Sequence, residues 1–427
     1  MFKNKSVRVL LLAVAAFGLG MVFSKTFYAA DLTYQQLKVL VDILDYVRDD
    51  YVEDTDPQKL VYGAADGIVR QLDDFSQFMD PELSKKVKSD TDGEFGGLGI
   101  RITARDGAIT IITPMPGTPA YKSGILPGDR IIKIGADITK DMDADEVVNR
   151  LRGKPGTKVT ITIAREPEEK NAAWITKEMT LVREIIKPEV VQSRLLDGKI
   201  GYMHIVDFSG HVSEDVARAM SDLKKQGMEA LVLDLRYNPG GLLNAAVELC
   251  KYFVDGNKMI VYTKGRKPEN YAEFRSDKTA PFASLPLIVL VNGGSASGSE
   301  IVAGALQDHK RAIIIGTKTF GKASVQTIIP LSDGSGLRLT VAKYYTPSGR
   351  SIHRNAKDNS GGIAPDIEVK VSRENEIKIM EQYDKIYTPG KEPSSALKVA
   401  VADEPLDRAV QILKAREAFA TLGRSAS

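Results

Sequence analysis

The sequence predicts a multidomain α/β protein with helical ends, and three observations carry that expectation. Strand and helix patterns alternate beyond Met179, short β-rich runs fill Gly97 to Arg165, and helical apolar spacing occupies both flanks. With 427 residues, 43% of them hydrophobic, the chain holds enough apolar material for two or three cores.

Residues 1–30 differ in kind from the rest. Lys3, Lys5 and Arg8 precede 15 uninterrupted nonpolar residues from Val9 to Phe23, the pattern of a signal peptide or membrane anchor. The chain is therefore expected to be exported to a bacterial periplasm or cell envelope. Phe27-Tyr28-Ala29-Ala30 offers a small residue before Asp31 but a bulky one two positions earlier, which leaves cleavage and retention both open.

Residues 31–90 read as a helical arm. Leu37, Leu40, Val41, Leu44, Val47 and Tyr51 recur at helical spacing, and a second helical stretch runs from Pro57 to about Leu72. Gly93, Gly96, Gly97 and Gly99 then mark a boundary, and residues 91–168 read as a small β domain. Its strands are expected at Gly99 to Thr103, Ala108 to Thr113, Arg130 to Ile134 and Lys158 to Ala164.

Residues 169–373 read as an α/β core. Expected strands at Ile200 to Ile205, Ala230 to Leu235, Leu287 to Val291 and Ala312 to Ile315 alternate with helices at Ser213 to Gln226, Leu242 to Phe253 and Ala296 to Gln307. That order implies a largely parallel sheet. Val325 to Leu331 and Leu337 to Tyr345 flank Asp333-Gly334-Ser335-Gly336 and predict a hairpin. Residues 374–427 close the chain with a helix from Pro405 to Leu422.

Composition narrows the function. Lys and Arg number 58 against 56 Asp and Glu, so a formal charge of +2 gives no field to gather nucleic acid. The single cysteine, Cys250, excludes an internal disulfide framework and a cysteine-rich metal site, and its apolar helical setting predicts a buried thiol. No metal or organic cofactor is implied.

The sharpest chemical feature is Asn292-Gly293-Gly294-Ser295-Ala296-Ser297-Gly298-Ser299-Glu300, joining an apolar strand to a helix. Ser297 there would stand beside free helix-start N–H groups, which suit the oxyanion of acyl transfer. Ser297-x-x-Glu300 is equally a capping box. A serine nucleophile needs a base, and none of the four histidines, His204, His211, His309 and His353, lies in a recognisable base motif. Lys322, within Thr319-Phe320-Gly321-Lys322-Ala323-Ser324-Val325-Gln326, can serve if burial lowers its pKa. An extended chain would turn Lys322, Ser324 and Gln326 to one face, and Gln326 can hold an amine without raising its pKa as a carboxylate would. The turn Asp234-Leu235-Arg236-Tyr237-Asn238-Pro239-Gly240-Gly241 offers further backbone donors, Gly240 or Gly241, to complete an oxyanion hole with Gly298. Asp234 and Arg236 can pair locally.

Together these segments resemble the carboxyl-terminal processing, or tail-specific, proteases: a Ser-Ala-Ser turn before a helix, a Phe-Gly-Lys segment 25 positions later and a glutamine four further on. The resemblance implies a serine-type endopeptidase with Ser297 as nucleophile, Lys322 as general base and Gln326 orienting it, on a core of the ClpP/crotonase-like kind. Asp234 to Gly241 resembles the family's DLRxNPGG element beside the oxyanion hole, and Gly298 stands where relatives often have alanine. Residues 97–165 resemble a PDZ domain, with Gly96-Gly97-Leu98-Gly99-Ile100 as its carboxylate-binding loop and Ser123 to Ile131 as its core signature. Gly97, Leu98, Gly99 and Ile100 would then hold a substrate tail as an added strand, and Arg152 would help gate the active site. Protein or peptide substrates with apolar C-terminal tails are implied, with subunit contacts through the terminal helices and an adaptor protein as further partners.

Two other readings stand beside this one. A non-catalytic PDZ scaffold would bind protein tails, but has no need of serine, lysine and glutamine at this spacing. A penicillin-recognising or lipid acyl hydrolase would require a lysine at position 300 or a GxSxG elbow around Ser297, and neither is present.

Overall fold

A computed structural model of the chain describes residues 35–425 apart from 106, 116, 127, 168–172, 355–359, 373, 377, 380–381 and 383–401. The expected export segment, residues 1–30, lies outside the described residues. Among the described residues no helix is long and apolar enough to cross a membrane.

The arm opens with α1 (35–50) and α2 (Pro57–Val69), followed by β1 (Gln77–Met79) and α3 (Pro81–Asp92). Proline at the first turn and an aspartate cap start both α2 and α3: Asp56 accepts from Gln58 N–H and Asp80 from Leu83 N–H. The arm is not free-standing, because β1 pairs antiparallel with a strand of the core.

The β domain contains β2 (Phe95–Gly97), β3 (Ile100–Arg105), β4 (Ala108–Pro114), α4 (Pro119–Lys122), β5 (Arg130–Ile134), β6 (Asp137–Ile138), α5 (Ala144–Leu151), β7 (Lys158–Arg165) and β8 (Ile175–Val182). Its sheet runs β3-β4-β5-β7-β8, with β6 on β5, around a core including Leu98, Ile111, Ile131, Val147 and Ile161. Strand β8 pairs with β7 along its full length, so this domain extends to Val182, beyond the boundary expected at residue 168. The intervening polar run hid the hairpin partner. Next, β9 (Glu184–Ile186) pairs back onto β2 and ties the entrance and exit of the domain together.

The core sheet runs β10 (Val191–Leu196), β11 (Ile200–Ile205), β12 (Ala230–Asp234), β15 (Leu287–Val291), β16 (Ile313–Gly316) and β19 (Ile367–Glu368). Only β10 is antiparallel to its neighbour; the other pairs are parallel. Every residue of β12 and β15 is buried, as expected for central parallel strands covered on both faces. One face packs α6 (Val212–Lys225), α7 (Leu243–Lys251) and α8 (Gly298–Asp308), the other α9 (Glu404–Ser425) through Leu406, Ala409 and Leu413. Helix α6 shows the cause: Val212, Val216, Ala219, Met220 and Leu223 recur on its buried stripe, with acids at its start and lysines at its end. Cys250 is buried, and desolvation pushes its thiol far up, so it is a structural residue.

A second sheet runs β1, β18 (Gly336–Tyr345), β13 (Met259–Gly265) and β14 (Ala272–Arg275), with β17 (Ser324–Pro330) on β18 as the expected hairpin.

The expected pairing of Asp234 with Arg236 is present and gains a third member. The buried Arg236 guanidinium reaches Asp234 at 2.6 Å and Asp403 at 2.8 Å, while the Tyr202 hydroxyl donates to Asp234 at 2.8 Å. Burial opposes ionisation of Asp234, and Arg236 more than offsets it, leaving the carboxyl below its usual range. Asp403→Ala would strand half of a buried guanidinium. We expect a loss of about 3 kcal/mol, read as a lower urea midpoint with unchanged slope.

Candidate active site

Ser297 sits where β15 turns into α8, at φ 52° and ψ −109°. This conformation is disfavoured for a non-glycine residue by about 1–3 kcal/mol, so surrounding bonds must impose it. They do. Asn292 Oδ1 accepts from Tyr237 and Gly294 N–H, Ser295 Oγ donates to Leu235 carbonyl, and Ala296 N–H and Ser299 Oγ both donate to Asn238 carbonyl. The serine turn and the Asp234–Gly241 turn are thereby stitched into one unit.

Gly240 lies so close to this unit that a Cβ would stand 2.6 Å from Ser297 Cβ and 2.7 Å from Gly298 N. Its N–H is taken by Asn238 Oδ1 at 2.8 Å. That corrects its expected role: Gly240 permits close approach, and is not a free donor. Neither Gly241 nor Gly298 N–H has an acceptor among the described residues, leaving two backbone donors beside Ser297 for an oxyanion.

Glu300 joins the serine turn to the lysine loop. Fully buried, it accepts from Ser297 N–H at 2.9 Å, Thr319 Oγ1 at 2.6 Å, Gly321 N–H at 2.7 Å and Lys322 N–H at 2.9 Å. Burial raises its pKa and these donors pull the other way. The capping reading and the catalytic reading of Ser297-x-x-Glu300 are thus compatible, since one carboxylate caps α8 and anchors the lysine.

Lys322 is half-buried, and desolvation first, then the charge of Arg338, pushes its pKa below the ordinary lysine value. Its Nζ lies over the Phe75 ring, 4.9 Å from the centroid. Gln326 donates from Nε2 to the Phe75 carbonyl, not to Lys322 as expected. A bulge between Val325 and Gln326 breaks the simple alternation that predicted a shared face, although Lys322, Ser324 and Gln326 all line the same cleft. Tyr344, whose hydroxyl donates to Lys322 carbonyl, also contacts the Ser297 side chain, and burial holds that hydroxyl protonated. No hydrogen bond joins Ser297 and Lys322 among the described residues. They share a cleft of about 650 Å³ whose walls include Phe208, Leu242, Ile301, Val325 and Ile328.

Phe75, Asn238, Thr319 and Tyr344 were not picked out as site residues from the sequence. None of the four histidines is among the residues that line the cleft holding Ser297; His211 Nε2 meets Pro188 carbonyl and His309 Nε2 meets Met259 carbonyl.

The residues expected to hold a substrate tail lie beside a sheet edge. Strand β3 is an edge strand, so its outer side is open to an added strand. Leu98 and Val147 are buried beneath it, and Gly99 adopts φ 74° with its carbonyl receiving Met115 N–H. Arg152 ends α5, stacks 4.2 Å from the Phe95 ring centroid and lies 3.7 Å from Asp90 of α3. Asp90 lines the Ser297 cleft.

Sequence comparison agrees with this geometry. Residues 199–369 match peptidase family S41 and residues 86–164 match the PDZ domain. A carboxy-terminal-processing protease of Bartonella bacilliformis is 44% identical over 79% of this chain and 76% of its own length. The carboxy-terminal processing protease CtpA of Bacillus subtilis is 36% identical over 81% of this chain and 71% of its own length. A crystal structure described as an S41 protease from Bacteroides fragilis shares the fold at TM-score 0.51 and 20% identity, covering 87% of this chain and 97% of that one. The chain belongs to the carboxy-terminal processing serine proteases of peptidase family S41, and it carries their PDZ domain.

Proposed function

We propose that this chain is an exported serine endopeptidase that cuts proteins in or near their C-terminal region, with Ser297 as nucleophile and Lys322 as general base. The observation that carries this reading is one cleft holding a strained Ser297, two free N–H donors and a lysine whose burial favours the neutral amine. Lys322 Nζ takes the Ser297 proton as Oγ attacks the scissile carbonyl, and the oxyanion settles on Gly241 and Gly298 N–H. The lysine then protonates the leaving amine. Water, deprotonated by the same amine, releases the acyl group.

The open edge of β3 and the loop Gly97, Leu98, Gly99 and Ile100 suit a substrate tail ending in apolar residues. The basic and apolar run at residues 1–30 supports export. Exposed Leu37, Val41 and Ile43 on α1 support a subunit contact through the arm.

Cleavage of an unfolded protein with an apolar tail should be lost by at least about a thousandfold in Ser297→Ala and Lys322→Ala, with folding intact by circular dichroism. Mass spectrometry of the fragments decides it, and cleavage surviving in Ser297→Ala would overturn the nucleophile. Because only unprotonated Lys322 accepts a proton, activity should rise with pH along a limb below that of an ordinary lysine.

Arg152→Ala removes the bridge from α5 to α3. Its expected effect is on turnover of tailed substrates, severalfold or more, with tail affinity measured by calorimetry nearly unchanged. Equal loss of affinity and turnover would place Arg152 in tail binding alone.

A further inference from the structure

The residue that engages both Lys322 and Gln326 lies outside the two matched domains. Phe75 stands between α2 and β1 in the N-terminal arm. Its ring faces Lys322 Nζ at 4.9 Å, and its carbonyl accepts the Gln326 amide. One side chain and one backbone atom of the same residue thus hold the two groups expected to work as a pair.

Phe75 is itself fixed. Asp73 accepts from Phe75 N–H and Ser76 N–H at 2.8 Å each, from Ser76 Oγ at 3.1 Å and from Thr340 Oγ1 at 3.3 Å. Strand β1 then registers Gln77 against Arg338 on β18, and β18 pairs with β17, which carries Gln326. The latch and the groups it holds ride on one continuous sheet.

We propose that Phe75 is a positioning residue acting as a latch: its ring holds Lys322 as an ammonium turned from Ser297, while its carbonyl occupies Gln326, so the arm sets the resting activity. This inference rests on the serine-lysine reading above. An aromatic face attracts an ammonium but not a neutral amine, so the contact stabilises the form that cannot act as a base. The other charged and titratable groups at the cleft are Arg338 and Tyr344 of β18, Asp90 of α3 and Asp207 after β11. Glu300 of α8 approaches through the Lys322 backbone N–H. No side chain among the described residues accepts a hydrogen bond from Lys322 Nζ; Arg338 repels it and is tethered to Gln77 Oε1 at 2.9 Å. Among the described contacts of Lys322 Nζ, the Phe75 ring is the one that favours the protonated amine.

The test is the pH dependence of kcat/KM for the full chain, Phe75→Leu, Phe75→Trp and Lys322→Ala, acting on an unfolded protein that ends in apolar residues. Leucine keeps apolar bulk and removes the π face. Its acid limb should move to lower pH by about one unit, with activity near neutrality rising up to about tenfold. Tryptophan presents a stronger π face and should move the limb to higher pH. Opposite shifts in the two variants cannot arise from general loosening of the arm. A limb that stays in place, or rises in Phe75→Leu, overturns the latch. Should Phe75→Leu fail to fold, the Phe75→Trp shift decides alone, and an unmoved or lowered limb there overturns it. If Lys322→Ala keeps wild-type activity, the base assignment fails and the latch with it. If Lys322→Ala is inactive while the Phe75 limbs coincide with wild type, only the latch fails.

Discussion

The site depends on a single buried carboxylate. Glu300 accepts four donors, one from the serine turn and three from the loop that carries the lysine, across 22 residues of chain. A carboxylate withdrawn from water is tolerated only when its lone pairs are filled, and here the donors that fill them belong to the serine turn and the lysine loop. Removing the carboxylate would free the N–H groups of Ser297, Gly321 and Lys322 together. Geometry at Ser297 and at Lys322 is therefore one constraint, which explains how Ser297 holds a positive φ on an otherwise ordinary strand-to-helix turn.

A second buried ion cluster serves the same turn from behind. Arg236 lies in the segment that supplies Gly241, and its partners Asp234 and Asp403 come from β12 and from the chain just before α9. The C-terminal helix also covers the sheet face opposite α8. The oxyanion donors are thus fixed to both layers of the core, while Lys322 and Gln326 sit at the start of a hairpin bound to the arm. The proposed nucleophile is thus tied to the core layers, and the proposed base to the hairpin and the arm.

Much of the fold was legible because apolar periodicity reports burial directly. Strands Ile200 to Ile205 and Leu287 to Val291 fall where the sequence put them, and the Asp333-Gly334 turn joins its hairpin. Strand β8 was illegible as part of the β domain, because its exposed face and the polar segment before it erase the alternation that would have tied it to β7. In the site, local residues together with the family resemblance singled out Ser297, Lys322 and Gln326, which line one cleft, but could not show that Asn238 consumes the Gly240 N–H. Phe75 was beyond reach for a different reason. It meets Gln326 across 251 positions, and an aromatic residue in a short polar turn carries no signal of what it will face after folding.

In the proposed mechanism, the tie between the arm and Lys322 and Gln326 is what the PDZ domain would act on. Arg152 reaches Asp90 on α3, and α3 also contributes Val87 and Thr91 to the wall of the cleft. Helix α3 follows β1, which leads back through Ser76 alone to Phe75. In the proposed reading, a tail seated beside β3 would act on α5 and its terminal Arg152, and a displacement of α3 would reach the strand next to Phe75. That route would need only one helix, which meets Arg152, lines the cleft and follows the strand next to Phe75. A ligand shifts such an equilibrium only by binding one arrangement better than the other. Among the described ion pairs, the contact of Arg152 with Asp90 is the one that joins the end of α5 to the wall of the Ser297 cleft, and in the proposed reading it is where tail binding and base release would differ in energy.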